Sequence, residues 1–302
     1  MSQTDLPAWF AQAVLSPARQ RTLEVAGCAL NYLVWGDPDS PPLMLIHGGA
    51  AHAMWWSAHA PSLARQYLVI APDLSGHGDS GRRDSYPMEI WAEEVMAICA
   101  HEAPGRRPVL VGHSMGGLVS IVAAALYGSE RLAGAIIVDS PVRKPDPESD
   151  ESKAGNSFRN PKTYPDVDSA VARFRLVPEQ PCEYRFLLEH IARHSLRRTE
   201  EGWTWKFDPR VFLRARKGSL RDYLAKVGCR VALMRGEFSV IVPPETGQYM
   251  YELLQRNAPV VEIPQAHHHL ILDQPLAFIA ALRALLADWE HSEPRRRNRD
   301  VS

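Results

Sequence analysis

The chain has 302 residues, 45% of them hydrophobic and 23% charged, which is enough to bury one large core and carry an inserted second unit. Its formal net charge of -1 argues against a general nucleic-acid binder, because such proteins present a basic surface, and favours a small-molecule partner. Four cysteines without a CxxC pair, an N-terminus without a secretory pattern and the lack of a bilayer-spanning apolar run predict a cytoplasmic protein with no membrane association.

Short apolar runs alternate with helical patterns along much of the chain. Several runs, such as PLMLIHGG, are almost continuously apolar, which is typical of parallel strands buried on both faces. Longer segments between them have the spacing of amphipathic helices. The predicted strands are 30–36, 42–49, 67–73, 108–114, 133–139, 229–236 and 259–264, and the predicted helices are 87–103, 116–128, 243–257 and 275–290.

The alternation stops in one internal segment that is rich in Pro, Arg, Glu and aromatic residues. Alternation on both sides of it predicts an α/β protein with a mostly parallel sheet flanked by helices. We therefore expect a core formed by residues 1–140 and 227–302, and an inserted, mainly helical cap formed by residues 141–226.

A tight turn joins the predicted strand 108–114 to the helix that follows it. Its sequence VGHSMGG contains Gly112, Ser114 and Gly116 as G-x-S-x-G, the pattern of a nucleophile elbow. Glycines are needed there because the turn is too tight for side chains, and the helix N-terminus directs N–H groups towards a developing oxyanion. Ser114 is therefore the candidate nucleophile, and the alternative is a glycine-rich turn with an incidental serine.

A serine nucleophile needs a general base, and three adjacent histidines follow the last predicted strand, in PQAHHHLILDQP at 264–275. They also suggest a metal site, but neighbouring residues point in different directions and no carboxylate cluster accompanies them. GHGDSG at 76–81 matches a dinucleotide-binding pattern, yet no helix opens at its second half. We therefore expect no metal and no organic cofactor.

Four motifs together resemble the α/β-hydrolase superfamily, and they occur in family order on both sides of the insertion. The resemblance implies an α/β-hydrolase fold with a cap. It also implies a serine hydrolase that cleaves an ester or related acyl bond of a small apolar or aromatic substrate through an acyl-enzyme. Serine at the elbow argues against the dehalogenase and epoxide-hydrolase branches, which use a carboxylate there. The motifs are LIHGG (45–49), APDLSGHGDS (71–80), GHSMGG (112–117) and AHHHLILDQP (266–275).

The resemblance also implies roles for individual residues. Ser114 matches the nucleophile, and the family's Gly-His pair matches His267-His268, so His268 is the expected base. His269 and then His267 are the alternatives, because a shift of one residue in the loop would exchange them.

Two backbone N–H groups would form the oxyanion hole, those of Gly49 and Met115, with Ala50 as the alternative to Gly49. Tryptophans are the expected substrate-binding residues. Trp55 and Trp56 closely follow the oxyanion turn, so one of them, Trp55, is expected to line the acyl pocket while the other packs. The cap segment WTWKFDP adds Trp203 and Trp205, whose alternative is a place in the core of the cap.

The acid that orients the histidine departs from the family's usual position. The strand that here reads VALMRG is usually followed by G-x-x-D, but the third residue after Gly236 is Ser239, and a hydroxyl cannot supply the negative charge. A known alternative in the superfamily places the acid after the strand that follows the nucleophile helix, where this chain has Asp139. Asp139 is therefore the expected acid, and Glu237 is the alternative.

The sequence does not identify the substrate. An esterase, thioesterase, lactonase, carbon–carbon bond hydrolase or cofactor-free haloperoxidase would share these motifs, because the shape of the cap decides between them. A non-catalytic receptor for a small ligand is the alternative from another functional class. The oligomeric state is open as well.

Overall fold

A central eight-stranded sheet organises the computed structural model, which describes residues 6–144, 158, 160–213 and 219–292. The strands are β1 (Arg19–Val25), β2 (Cys28–Trp35), β3 (Pro42–Ile46), β4 (Leu68–Pro72), β5 (Val109–His113), β6 (Gly134–Val138), β7 (Leu196–Thr199), β8 (Gly202–Trp205), β9 (Arg230–Gly236) and β10 (Val260–Ile263). The sheet order is β1-β2-β4-β3-β5-β6-β9-β10. The pairs β1–β2 and β2–β4 are antiparallel, and all other neighbours are parallel.

Helices cover both faces of the sheet because its central strands are apolar on both sides. In β3, Met44 and Ile46 pack into the core on one face, whereas Leu43 and Leu45 pack into the core on the other. None of the helices in the described ranges has the length and hydropathy needed to cross a bilayer. The helices are α1 (Ala8–Val14), α2 (Ala60–Leu63), α3 (Met88–Glu102), α4 (Met115–Arg131), α5 (Val167–Val171), α6 (Arg185–His194), α7 (Leu220–Ala225), α8 (Pro244–Leu253), α9 (Leu270–Asp273) and α10 (Pro275–Ser292).

The segment predicted as a cap contains helices α5, α6 and α7, a 3₁₀ turn at Pro209–Phe212 and a hairpin formed by β7 and β8. The sequence did not predict the hairpin. Helix α7 packs against α4 and α8 of the core layer, although its residues fall within the predicted cap. Parts of the predicted cap, residues 145–157, 159 and 214–218, lie outside the described residues. The division into core and cap therefore stays a prediction.

Candidate active site

Ser114 occupies a strained turn between β5 and α4. Its backbone has φ 54° and ψ -117°, a left-handed conformation that L-residues rarely adopt. The flanking glycines make this turn possible: a Cβ on Gly112 would lie 2.2 Å from the carbonyl oxygen of Gly116, and a Cβ on Gly116 would lie 2.3 Å from that of Ile46. The turn leaves Ser114 partly exposed at the carboxyl edge of the sheet.

A continuous chain of hydrogen bonds joins Ser114, His268 and Asp139. Nε2 of His268 lies 3.0 Å from Oγ of Ser114, and Nδ1 of His268 lies 2.7 Å from Oδ2 of Asp139. His268 is contributed by the loop between β10 and α9, and Asp139 directly follows β6, so the three side chains meet although they are far apart in the sequence. His268 and Asp139 are both buried.

The surroundings of Asp139 determine which nitrogen of His268 carries the proton. The Asp139 carboxylate accepts hydrogen bonds from Oγ of Ser239 at 2.5 Å and from the backbone N–H of Gly236 at 3.0 Å. An ionised carboxylate can only accept, so Nδ1 of His268 donates to it. The lone pair on Nε2 then faces Ser114, which is the arrangement that allows an imidazole to take a proton from a serine hydroxyl.

Ser239, at the family's usual acid position, donates a hydrogen bond to Asp139 and does not take its place. Oγ of Ser239 accepts from the backbone N–H groups of Ile241 and Val242 while it donates to Asp139. Glu237, the alternative acid, is exposed and accepts from the N–H of Gln265 at 2.8 Å. Its carboxylate therefore holds the loop before the histidines and makes no hydrogen bond to His268.

The other two histidines of the triplet have different contacts. Nδ1 of His267 lies 3.2 Å from Oδ2 of Asp273, and Nε2 of His269 lies 3.1 Å from the carbonyl oxygen of Val177. Burial and the neighbouring His268 lower the pKa of His269 well below its ordinary value, so it is neutral at pH 7.

Another buried histidine, His113, directly precedes the candidate nucleophile. Its Nε2 lies 2.9 Å from the carbonyl oxygen of His268, and burial lowers its pKa to about 3. His113, His268 and His269 offer nitrogens within 4.8 Å of one another, a spacing from which a metal ion could be held. Both nitrogens of His268 are already engaged by Ser114 and Asp139, so a metal would have to displace the hydrogen-bonded chain.

The loop that follows β3 lies directly against the elbow. A Cβ on Gly48 would lie 3.3 Å from Cβ of Ser114, and a Cβ on Gly49 would lie 3.8 Å from Sδ of Met115. Met115 opens helix α4, so its backbone N–H has no acceptor within the helix. The structure thus brings Gly49 and Met115 together beside Ser114, while Ala50, the alternative donor, follows with a left-handed φ of 57°.

His47 anchors this loop. Its Nε2 accepts from the backbone N–H of Leu74 at 3.1 Å, so its Nδ1 donates to the carbonyl oxygen of Gly48 at 2.7 Å. Burial lowers the pKa of His47 to about 4, which keeps the ring neutral at pH 7 and preserves both contacts.

A cavity of about 270 Å³ adjoins the site between the core and the segment predicted as a cap. It reaches the elbow region through Gly49, Ala50 and His269, whereas Ser114 and His268 are not among its lining residues. Its aromatic lining residues are Trp55, Phe158, Tyr164, Phe174, Trp205 and Phe207.

The predicted substrate-binding tryptophans differ in whether they line the cavity. Trp55 and Trp205 line the cavity, but Trp203 does not; the backbone of Trp203 pairs with that of Tyr164 through two hydrogen bonds of 2.8 Å. Trp56 is fully buried and packs near Phe278, with 6.1 Å between ring centroids. The sequence did not identify the cavity residues from 158 to 177, because nothing in that segment marks which side chains face the site.

Comparisons with known proteins agree with this architecture. A model of the alpha/beta hydrolase family matches residues 43–282. The thioesterase domain from the curacin biosynthetic pathway has a similar structure, with a TM-score of 0.74 and 25% sequence identity over 90% of this chain and 99% of that one. The predicted fold, a mostly parallel sheet flanked by helices, is confirmed.

Curated relatives are named as esterases. An esterase of Mycobacterium tuberculosis is 24% identical over 85% of this chain and 86% of its own length. A pimeloyl-[acyl-carrier protein] methyl ester esterase of Nitrosomonas europaea is 28% identical over 82% of this chain and 96% of its own length. For three other relatives, the match spans only 33%, 35% and 36% of their lengths.

Proposed function

Because the chain belongs to the alpha/beta hydrolase family, we propose that it is a serine hydrolase that cleaves an ester bond of a small molecule through an acyl-enzyme. Relatives named as esterases support the hydrolysis of ester bonds. The observation that carries the proposal is the hydrogen-bonded chain from Ser114 through His268 to Asp139.

In the first half of the proposed reaction, Oγ of Ser114 attacks the acyl carbonyl carbon while Nε2 of His268 takes the hydroxyl proton. The carbonyl oxygen becomes an oxyanion that accepts hydrogen bonds from the N–H groups of Gly49 and Met115. Collapse of this intermediate breaks the bond to the leaving alcohol, which receives the proton from His268, and the acyl group stays on Ser114.

In the second half, a water molecule replaces the alcohol. His268 takes a proton from the water as it attacks the acyl-enzyme, and the carboxylic acid leaves when Oγ of Ser114 recovers the proton. Asp139 stabilises the imidazolium in both halves through its 2.7 Å contact with Nδ1. All the groups that this mechanism requires are side chains and backbone of this chain.

Two measurements on the same preparation test this proposal. The protein should hydrolyse p-nitrophenyl esters of graded acyl length, and a fluorophosphonate should label Ser114 covalently, as peptide mass spectrometry would show. A folded protein that neither hydrolyses any ester nor reacts with the fluorophosphonate would contradict the proposal and favour a non-catalytic receptor.

Alanine variants of Trp203 and Trp205 form a matched pair, because Trp205 lines the cavity and Trp203 does not. Trp205 lines the cavity, and its ring centroid lies 5.7 Å from that of Tyr164 and 5.8 Å from that of Phe174. Trp205→Ala should enlarge the cavity and shift the ratio of kcat/KM between long and short acyl esters by about tenfold. Trp203→Ala should leave that ratio within about twofold of the parent. Equal ratios in both folded variants and the parent would show that Trp205 only packs.

A further inference from the structure

The cavity beside the candidate active site has an unbalanced charge. Lys162, Arg173 and Arg175 line it, and among the described residues no Asp or Glu does. The chain as a whole has a formal net charge of -1, so this local excess of positive charge does not follow from its composition. The remaining walls are largely aromatic.

In the described part of the chain these three cations have no carboxylate partner, unlike several other cations of the same segment. Arg193 is paired with Asp168 at 2.9 Å. In contrast, Lys162, Arg173 and Arg175 form no ion pair with any carboxylate in the described part of the chain. The two guanidinium hydrogen bonds of Arg175 go to the backbone carbonyls of Ala172 and Phe174, which leave its charge uncompensated. Two further cations of the segment, Lys206 and Arg210, pair with Asp79 and Asp208.

The position of the cations suggests which part of a substrate they meet. The cavity touches the loop at Gly49 and Ala50, where the scissile carbonyl would lie in the proposed mechanism, and extends from there into the segment that contributes the cations. Hydrogen bonds from arginine or lysine to a carboxylate or phosphate are charge-assisted and stronger than neutral ones. Lys162, Arg173 and Arg175 are exposed, so solvent and salt screen their attraction for an anion.

On the basis of the proposed ester hydrolysis, we propose that the substrate carries an anionic group, a carboxylate or a phosphate, at the end remote from the scissile bond. Lys162, Arg173 and Arg175 bind this group, and the aromatic walls contact the chain that joins it to the acyl carbon. The cavity then selects charged esters over neutral ones of the same length.

A set of p-nitrophenyl esters with one acyl length tests this selection. One member ends in a carboxylate (mono-p-nitrophenyl adipate), one in the methyl ester of that carboxylate, one in a phosphate and one in a trimethylammonium group. We expect kcat/KM to be about tenfold or more higher for the carboxylate or phosphate member than for the neutral member, and lowest for the cationic member. The anionic member with the larger kcat/KM, carboxylate or phosphate, identifies the anionic group of the substrate. This preference should weaken at 1 M NaCl, where the Debye length is only about 3 Å.

Substitution of cavity arginines tests whether the cavity causes the preference for anionic esters. Arg173→Gln combined with Arg175→Gln should reduce the ratio of kcat/KM between the anionic and the neutral ester about fivefold or more. Arg198→Gln is the matched control, because Arg198 is an exposed arginine of β7 that does not line the cavity. It should leave the preference unchanged.

Equal kcat/KM for the anionic and neutral esters would overturn the inference while leaving ester hydrolysis intact. A preference that survives in the double variant would overturn it as well. If the protein hydrolyses no ester, the proposed ester hydrolysis is wrong, and the charge preference needs a test that does not depend on turnover. Calorimetric binding of adipate and of its dimethyl ester to the parent protein then tests the charge preference alone, and equal affinities would overturn it.

Discussion

Ser114→Ala should remove ester hydrolysis and leave a folded protein. We expect kcat to fall by about 10⁴ to 10⁶-fold, the range found when a member of a serine triad is removed. The fold should survive because the turn depends on Gly112 and Gly116 and on the backbone around them, whereas the Ser114 hydroxyl hydrogen-bonds, among the described residues, only to Nε2 of His268. Steady-state kinetics with a p-nitrophenyl ester, together with circular dichroism and thermal unfolding, would measure both effects.

A second serine of the same helix provides the control. Ser120 is buried in α4, and its hydroxyl donates to the carbonyl oxygen of Gly116 at 2.9 Å. Ser120→Ala disturbs the same helix without touching His268, so its kcat should stay within about threefold of the parent. Near-parental turnover by Ser114→Ala, or an equal loss in both variants, would argue against Ser114 as the nucleophile.

Much of the fold could be predicted because its central strands are buried on both faces. Continuous apolar runs such as 42–49 signal such strands, and all five residues of β3 are buried. Strand β1 was missed because it lies at the sheet edge with five of its seven residues exposed, which leaves no apolar run to detect. The hairpin β7–β8 was missed because strands of four residues are too short to show a period.

The candidate site could be predicted where a local motif fixes the geometry. The glycines around Ser114 are such a motif, because their close backbone contacts are imposed by neighbours in the sequence and by β3. The partner of His268 was harder to predict, since Asp139 precedes it by 129 residues and only the sheet order brings their loops together. The cations of the cavity could not be predicted, because nothing in the sequence marks which arginines of the insertion face inward.

Asp139→Asn should cut kcat by roughly 10⁴-fold while the protein stays folded. An asparagine amide directed at Nδ1 of His268 would donate to it and favour the proton on Nε2, which then cannot accept the proton of Ser114. Glu237→Gln is the matched control, because the Glu237 carboxylate accepts a hydrogen bond from the backbone N–H of Gln265 and makes none to His268. It should leave kcat within about threefold of the parent. The opposite ranking of the two folded variants would transfer the role of the acid to Glu237.

Ser239 makes it possible to separate the charge of Asp139 from its position. Oγ of Ser239 lies 2.5 Å from Oδ2 of Asp139, so a carboxylate at position 239 would lie close to Nδ1 of His268, at the usual acid position of the family. Ser239→Asp in the Asp139→Asn background should therefore recover kcat by about tenfold or more over the single variant. Ser239→Asn in the same background has nearly the same volume without the charge and should recover nothing. Equal kcat values for the two double variants, both folded, would show that negative charge beside Nδ1 is not what Asp139 contributes.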